Sequence, residues 1–160
     1  MSEVVGTDTA EFRPVALVLS AALRDQLARH AETAYPVEAC GALLGHSDGS
    51  GQPIVTQVVP LANSEPSGGD GYRISSNLLC ALPARGEGPE ERLVGFYHSH
   101  PDRTSRPSKR DLRNGHPGLL YVAISVRSGR AGARTAWMII PRVSMDTDSP
   151  VRRSRARTDR

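Results

Sequence analysis

Apolar residues recur along this chain in two periods, and the switches between them outline a fold. Leu23, Leu27 and Ala31, with Ala34 beyond, fall on one side of a helical repeat, while Arg24, Asp25 and Arg29 fall on the other. This pattern predicts an amphipathic helix from Ala21 to Ala31, with Ser20 as its N-cap and Pro36 as its stop. Val15 to Leu19, just before it, reads as a short apolar strand. Cys40 to Gly45 reads as a buried strand that turns at Ser47-Asp48-Gly49-Ser50-Gly51 and returns over Ile54 to Leu61 as a hairpin. The polar stretch 63–71, with three glycines and a proline, is expected to be a mobile loop. Tyr72 to Ile74 suggests a short strand, followed by a helix over Asn77 to Leu82 capped by Ser75 or Ser76. A second loop is expected over 85–91.

Leu93 to His98 predicts a central strand. Ser108 opens a short helix that runs to about Asn114, where Gly115-His116-Pro117-Gly118 breaks it. Leu119 to Val126 is almost continuously apolar, as a strand buried on both faces would be. A turn over Ser128 to Gly132 then leads to a return strand over Arg134 to Ile140. The sum is a single α/β domain, a curved mixed sheet with helices packed against it. Its expected bounds are 14–141, between a flexible leader at 1–13 and a basic disordered tail at 142–160.

Composition adjusts this picture in three places. A chain of 160 residues can bury a real core as one domain. No apolar run approaches the ~20 residues that span a bilayer. The first residues lack the basic-then-apolar order of a secretory signal, so a cytoplasmic location and no membrane partner are expected. The net charge is +3, and the tail's six arginines and three aspartates account for it. With so few apolar residues the tail is expected to stay solvated. Aromatic residues are scarce, and neither a glycine-rich phosphate cradle nor a stacking cluster is present, which argues against a nucleic-acid protein. Cys40 and Cys80 form no metal knuckle and are expected as two reduced, buried small hydrophobes.

The candidate chemistry lies in Gly95-Phe96-Tyr97-His98-Ser99-His100-Pro101 and the following Pro107-Ser108-Lys109-Arg110-Asp111. Residues i and i+2 of a strand face the same side, so His98 and His100 can aim at one point. Asp111 could bring a carboxylate there. Two imidazoles and a carboxylate suit Zn²⁺, and three protein ligands leave a fourth position open, as in catalytic sites. The bland alternative for the two histidines alone is a hydrogen-bonded pair at a strand end. Ser108 and Asp111 also spell a form of the capping box. His30 and His46 are expected at the surface and His116 in a loop. Arg103, Arg106, Lys109 and Arg110 give this rim a positive cast that serves solubility or steers an acidic partner.

These residues, with the earlier Tyr35-Pro36-Val37-Glu38-Ala39-Cys40-Gly41, resemble the JAMM (MPN-plus) zinc metalloprotease family, most closely its compact bacterial type. The resemblance covers roughly Val15 to Ile140 and implies a single MPN (JAB-like) domain. It implies His98, His100 and Asp111 as Zn²⁺ ligands, with Glu38 as the catalytic carboxylate that assists attack by a zinc-bound water. It implies Ser108 as a second catalytic residue, donating to the developing oxyanion. The implied substrate is a ubiquitin-like or sulfur-carrier β-grasp protein, cut after its C-terminal Gly-Gly. The alternative within the family is a non-catalytic MPN scaffold.

Overall fold

The structure, a computed structural model, describes residues 11–65, 71–82 and 91–140. In chain order these form β1 (Phe12–Pro14), α1 (Ala21–Ala34), β2 (Cys40–Ser47), β3 (Pro53–Leu61), α2 (Ser76–Cys80), β4 (Arg92–Pro101), α3 (Lys109–Asn114), β5 (Leu120–Arg127) and β6 (Arg130–Ile139). The six strands make one sheet in the order β1-β6-β5-β4-β2-β3. Only the central β4–β5 pair is parallel, and α3 lies in the crossover between them. Tight turns close the β2–β3 and β5–β6 hairpins.

Each face of the sheet carries its own apolar cluster. On one face, α1 buries Leu23, Leu27 and Ala31 against Leu43, Tyr97, Leu120, Val122 and Ile124. The opposite face gathers Tyr121, Ala123, Trp137 and Ile139, with Phe96, Leu112 and Leu119 packed on them. Alternate residues of β5 therefore serve opposite clusters, as its nearly continuous apolar run predicts. Phe96, His98 and His100 share the parity of the second face, which places the two histidines opposite α1.

The ends of the chain differ from the sequence expectation. Phe12 and Arg13, assigned to the leader, pair with Ile139 and Met138 of β6. Val15 to Leu19 makes no strand. Val15 donates one more bond to the Ala136 carbonyl and the ladder stops. Val18 is 87% exposed, whereas Leu19 is buried under α1. This all-apolar run is an extended link in which burial alternates, so that Val15, Leu17 and Leu19 turn to the core, and it ends where Ser20 takes the extended backbone needed to cap α1. Tyr72 to Ile74 also joins no ladder. The β5–β6 turn is shorter than expected, because Ser128 and Gly129 both adopt positive φ and close a two-residue hairpin. Residues 1–10, most of the expected loops at 63–71 and 85–91, and the tail 142–160 lie outside the described residues.

Both cysteines are free. Cys40 is buried, and burial followed by the nearby Glu38 charge pushes its thiol up to about 12. Cys80 is exposed, contrary to expectation, because its helix buries none of its residues. Among the described residues, no helix is long and apolar enough to cross a membrane.

Gly95 is the tightest backbone contact of the parallel pair. A Cβ added there would lie 1.9 Å from the Leu120 carbonyl oxygen. Gly95→Ala must push β4 and β5 apart and is expected to cost about 1–3 kcal/mol or more. Urea unfolding measures this; an unchanged midpoint would show that the strands are not held this closely.

Candidate metal centre

The site is built on β4 and completed by α3. His98 and His100 direct their Nε2 atoms toward each other, 2.9 Å apart. Asp111 lies 3.2 Å from His98 through Oδ1 and 3.3 Å from His100 through Oδ2. The three donors all lie within 4.8 Å of one another. A tetrahedral zinc ion with bonds near 2.0–2.1 Å has ligand atoms about 3.3 Å apart. The spacing and chemistry of this donor set therefore fit one face of such a site.

Asp111 is delivered by its helix end. Ser108 Oγ accepts from the Asp111 amide at 3.1 Å, while the Ser108 amide donates to Asp111 Oδ2 at 2.7 Å. The predicted capping box is therefore present, and its carboxylate also faces the histidines. Because Ser108 Oγ receives a backbone bond, its hydroxyl hydrogen can turn to a group in the adjoining cavity.

The histidine environments differ. His98 is fully buried; desolvation lowers its pKa and keeps the imidazole neutral, the form that ligates a metal. Its ring lies between Tyr72, stacked at 4.6 Å, and the edge of Trp137 at 6.2 Å. For His100, burial lowers the pKa, but the Asp111 contact and the Thr104 carbonyl outweigh it and raise the value. Thr104 O lies 2.7 Å from His100 Nδ1, so it accepts that nitrogen's proton and leaves Nε2 facing the cluster. Burial alone would raise Asp111, yet hydrogen bonds from His100 and His98 hold it well below the usual carboxylate range.

Glu38 is buried and lines the same cavity of ≈ 730 Å³ as Tyr72, Phe96, Arg103, Ser108 and Asp111. Its neighbour Ala39 donates to Ser99 Oγ at 2.8 Å and accepts from the Ser99 amide at 2.9 Å. Ser99 is the residue between the two histidines, so the carboxylate and the ligand pair share a rigid register. Asn63 donates to the Glu38 carbonyl at 3.1 Å and to the Gly71 carbonyl at 3.2 Å, while its Oδ1 accepts from Glu65 and Arg73.

Of the five residues singled out in the sequence, Glu38, Ser108 and Asp111 line one cavity, and the buried His98 and His100 meet Asp111 behind it. Asn63, Ser99 and Tyr72 were not singled out, because their contacts join segments remote in the chain, and Thr104 was not because it acts through its backbone carbonyl. Arg103, expected only as part of a charged rim, bonds Glu38 Oε1 through Nη2 at 2.6 Å. His30 is half-buried and pairs with Tyr97 at 2.7 Å on the α1 face, away from the cluster, a correction to its expected surface placement. His46 is half-buried near its strand end; His116 is exposed in its loop and lines the cavity.

A family model described as prokaryotic homologs of the JAB domain matches residues 20–140. The chain is 32% identical to a desampylase from Haloferax volcanii over 114 residues, covering 68% of this chain and 80% of that protein. It is 34% identical to a CysO-cysteine peptidase from Mycobacterium tuberculosis over 112 residues, covering 69% and 74%. The solution structure of a protein from Salinibacter ruber superimposes with a TM-score of 0.55 at 32% identity, covering 82% of this chain and 94% of that one.

The donor cluster predicts that purified protein takes up zinc in about stoichiometric amount. His98→Ala and Asp111→Asn should each lose it, as read by metal analysis after dialysis. Retention of tight zinc by both variants would move the metal elsewhere.

Proposed function

The chain belongs to the family of prokaryotic homologues of the JAB domain, and from that premise we propose that it is a zinc-dependent peptidase. Its substrate is a small ubiquitin-like or sulfur-carrier β-grasp protein, and it hydrolyses the amide bond that follows a C-terminal Gly-Gly. The observation that carries this reading is a three-donor cluster whose Asp111 lines the same cavity as a buried carboxylate, Glu38, and a hydroxyl, Ser108. The names of the desampylase and CysO-cysteine peptidase relatives support a peptidase acting on small protein modifiers.

Zinc held by His98, His100 and Asp111 would act as a Lewis acid that makes hydroxide available near neutral pH. Glu38 takes a proton from the attacking water and passes it to the leaving nitrogen. Its low exposure keeps bulk water from competing for that proton. Ser108 directs its hydroxyl hydrogen at the oxygen where negative charge develops, a contact that can be worth about 2.7–4 kcal/mol of barrier. Tyr72 covers one face of His98 and shields the ligand from solvent. The apolar lining from Phe96, Leu119 and Tyr121 adds a dry wall.

Glu38→Gln should retain zinc and lose cleavage of a β-grasp–Gly-Gly fusion by at least about 100-fold. Near-normal turnover by this variant would remove Glu38 from the mechanism. Ser108→Ala should lower kcat by about 100-fold or more and stability by about 1 kcal/mol through the lost cap. The two effects are separated by kinetics on the zinc-loaded variant and by its urea unfolding. A loss of stability with unchanged kcat would leave Ser108 with the cap alone.

A further inference from the structure

Positive charge is not spread evenly over the described residues. From Arg103 to Arg113 the chain carries five cations, Arg103, Arg106, Lys109, Arg110 and Arg113, and a single carboxylate, Asp111. The other described residues carry eight cations and eight carboxylates, so the whole positive surplus of the described residues lies in this stretch. Asp111 does not offset it at the surface, because its oxygens are turned inward to the two histidines. Arg103, Lys109 and Arg110 line the cavity that holds Ser108 and Asp111, and Arg73 joins them from the segment before α2.

Local structure does not account for this arrangement. Lys109 and Arg110 occupy the first turn of α3, where the helix dipole favours anions over cations. Lys109 and Arg113 stand one helical turn apart and repel each other. Arg103 and Arg110 have carboxylate partners in Glu38 and Glu65. Arg106, Lys109 and Arg113 are exposed, and none of them forms a salt bridge with a described residue. The stretch therefore holds like charges together beside a cavity against its own local preferences. Such a conflict between local stability and composition is expected where a surface serves a partner.

We propose that this stretch is a docking surface for an acidic protein, and that the β-grasp partner carries a cluster of carboxylates on the face from which its Gly-Gly tail emerges. The proposal rests on the peptidase reading above for the entry of the tail. A tail that reaches Ser108 and Asp111 brings the folded body of its protein to the rim that Lys109 forms, with Arg106 and Arg113 flanking it in the chain. Opposite charges on that body speed the encounter and disfavour basic competitors, and both effects weaken as salt screens them. A nucleic acid would meet the same charges. The stretch holds no aromatic side chain on which a base could stack, however, and it borders a cavity whose buried carboxylate and hydroxyl suit amide chemistry.

The test uses the zinc-loaded full chain, Arg106→Glu, Arg113→Glu and the double variant. Three substrates share one tail and one leaving amine: a β-grasp protein with Asp and Glu beside its tail, the same protein with those carboxylates changed to Lys, and a short Gly-Gly peptide. At low salt, wild type should prefer the acidic to the basic protein by about 10-fold or more in kcat/KM, a preference that shrinks toward one at about 0.5 M salt. The double variant should lose about 10-fold on the acidic protein, gain on the basic one, and cleave the peptide within about twofold of wild type. Zinc content and urea unfolding establish that each variant is folded. Arg106 lies outside α3, so Arg106→Glu carries the test if Arg113→Glu weakens the helix. Equal kcat/KM for the two proteins in wild type, or equal losses on all three substrates in the folded variants, would overturn the assignment. Tighter binding of a single-stranded RNA oligonucleotide than of the acidic protein, lost in the double variant, would also overturn it and give the surface to nucleic acid. If wild type cleaves none of the three, the peptidase reading fails by itself. The docking surface then stands or falls on the same ratio of about 10-fold, measured as Kd for the two proteins by fluorescence anisotropy.

Discussion

The carboxylate of Asp111 answers to three groups at once, and the arrangement of the site follows from that. One oxygen accepts the Ser108 amide at the start of α3 and also lies against His100; the other lies against His98. A carboxylate with fewer obligations could rotate away from the histidines. Here the helix start fixes its plane, and the direction of its two oxygens is settled before any ion arrives. The same bonds hold it ionised although burial alone would favour the neutral acid. The geometry that satisfies the helix end therefore also turns the carboxylate toward both histidines.

This depends on β4 keeping its two-residue period through the middle of the sheet. Tyr97, one step from each of Phe96 and His98, points to the α1 face, where its ring is fully buried and bonds His30. A slip of one residue would send Tyr97 to the face that now carries the histidines and both imidazoles into the apolar cluster under α1. The close parallel contact at Gly95 and the flanking pairs with β2 and β5 hold that register. The histidine face can then be poorer in packing, because the opposite face carries most of the buried aliphatic side chains.

What could be read from the sequence was whatever had a local cause. Helix α1 was legible because Leu23, Leu27 and Ala31 repeat with its period and Ser20 caps it. The pair His98 and His100 was legible because strand parity needs only three residues. Ser108 and Asp111 were legible because a capping box spans four. The misread segments depended on partners far along the chain. Val15 to Leu19 has a strand's composition, yet beyond Val15 it pairs with no strand, while Phe12 to Pro14 looked featureless and found the edge of β6. The acceptor for His100 is a backbone carbonyl, Thr104, and any residue type could have supplied it. Asn63 holds together Glu38, Glu65, Gly71 and Arg73, a role written in the loop's path rather than in its residue types.

The placement of Glu38 shows how far backbone pairing can substitute for side-chain packing in positioning a buried carboxylate. Glu38 lies just ahead of β2, and the first residue of that strand, Cys40, pairs with His98. Ala39, between them, is clamped from both its amide and its carbonyl to Ser99. Glu38 is therefore two residues from a ladder position that includes His98, and the link between them consists of main-chain bonds and one hydroxyl. Such a link fixes the backbone of Glu38 relative to the histidine strand. The freedom that remains belongs to the side chain of Glu38 alone, and Arg103 is the group that takes it up. The site thus joins a backbone fixed to the histidine strand with a side-chain salt bridge, Glu38 to Arg103, on the cavity wall.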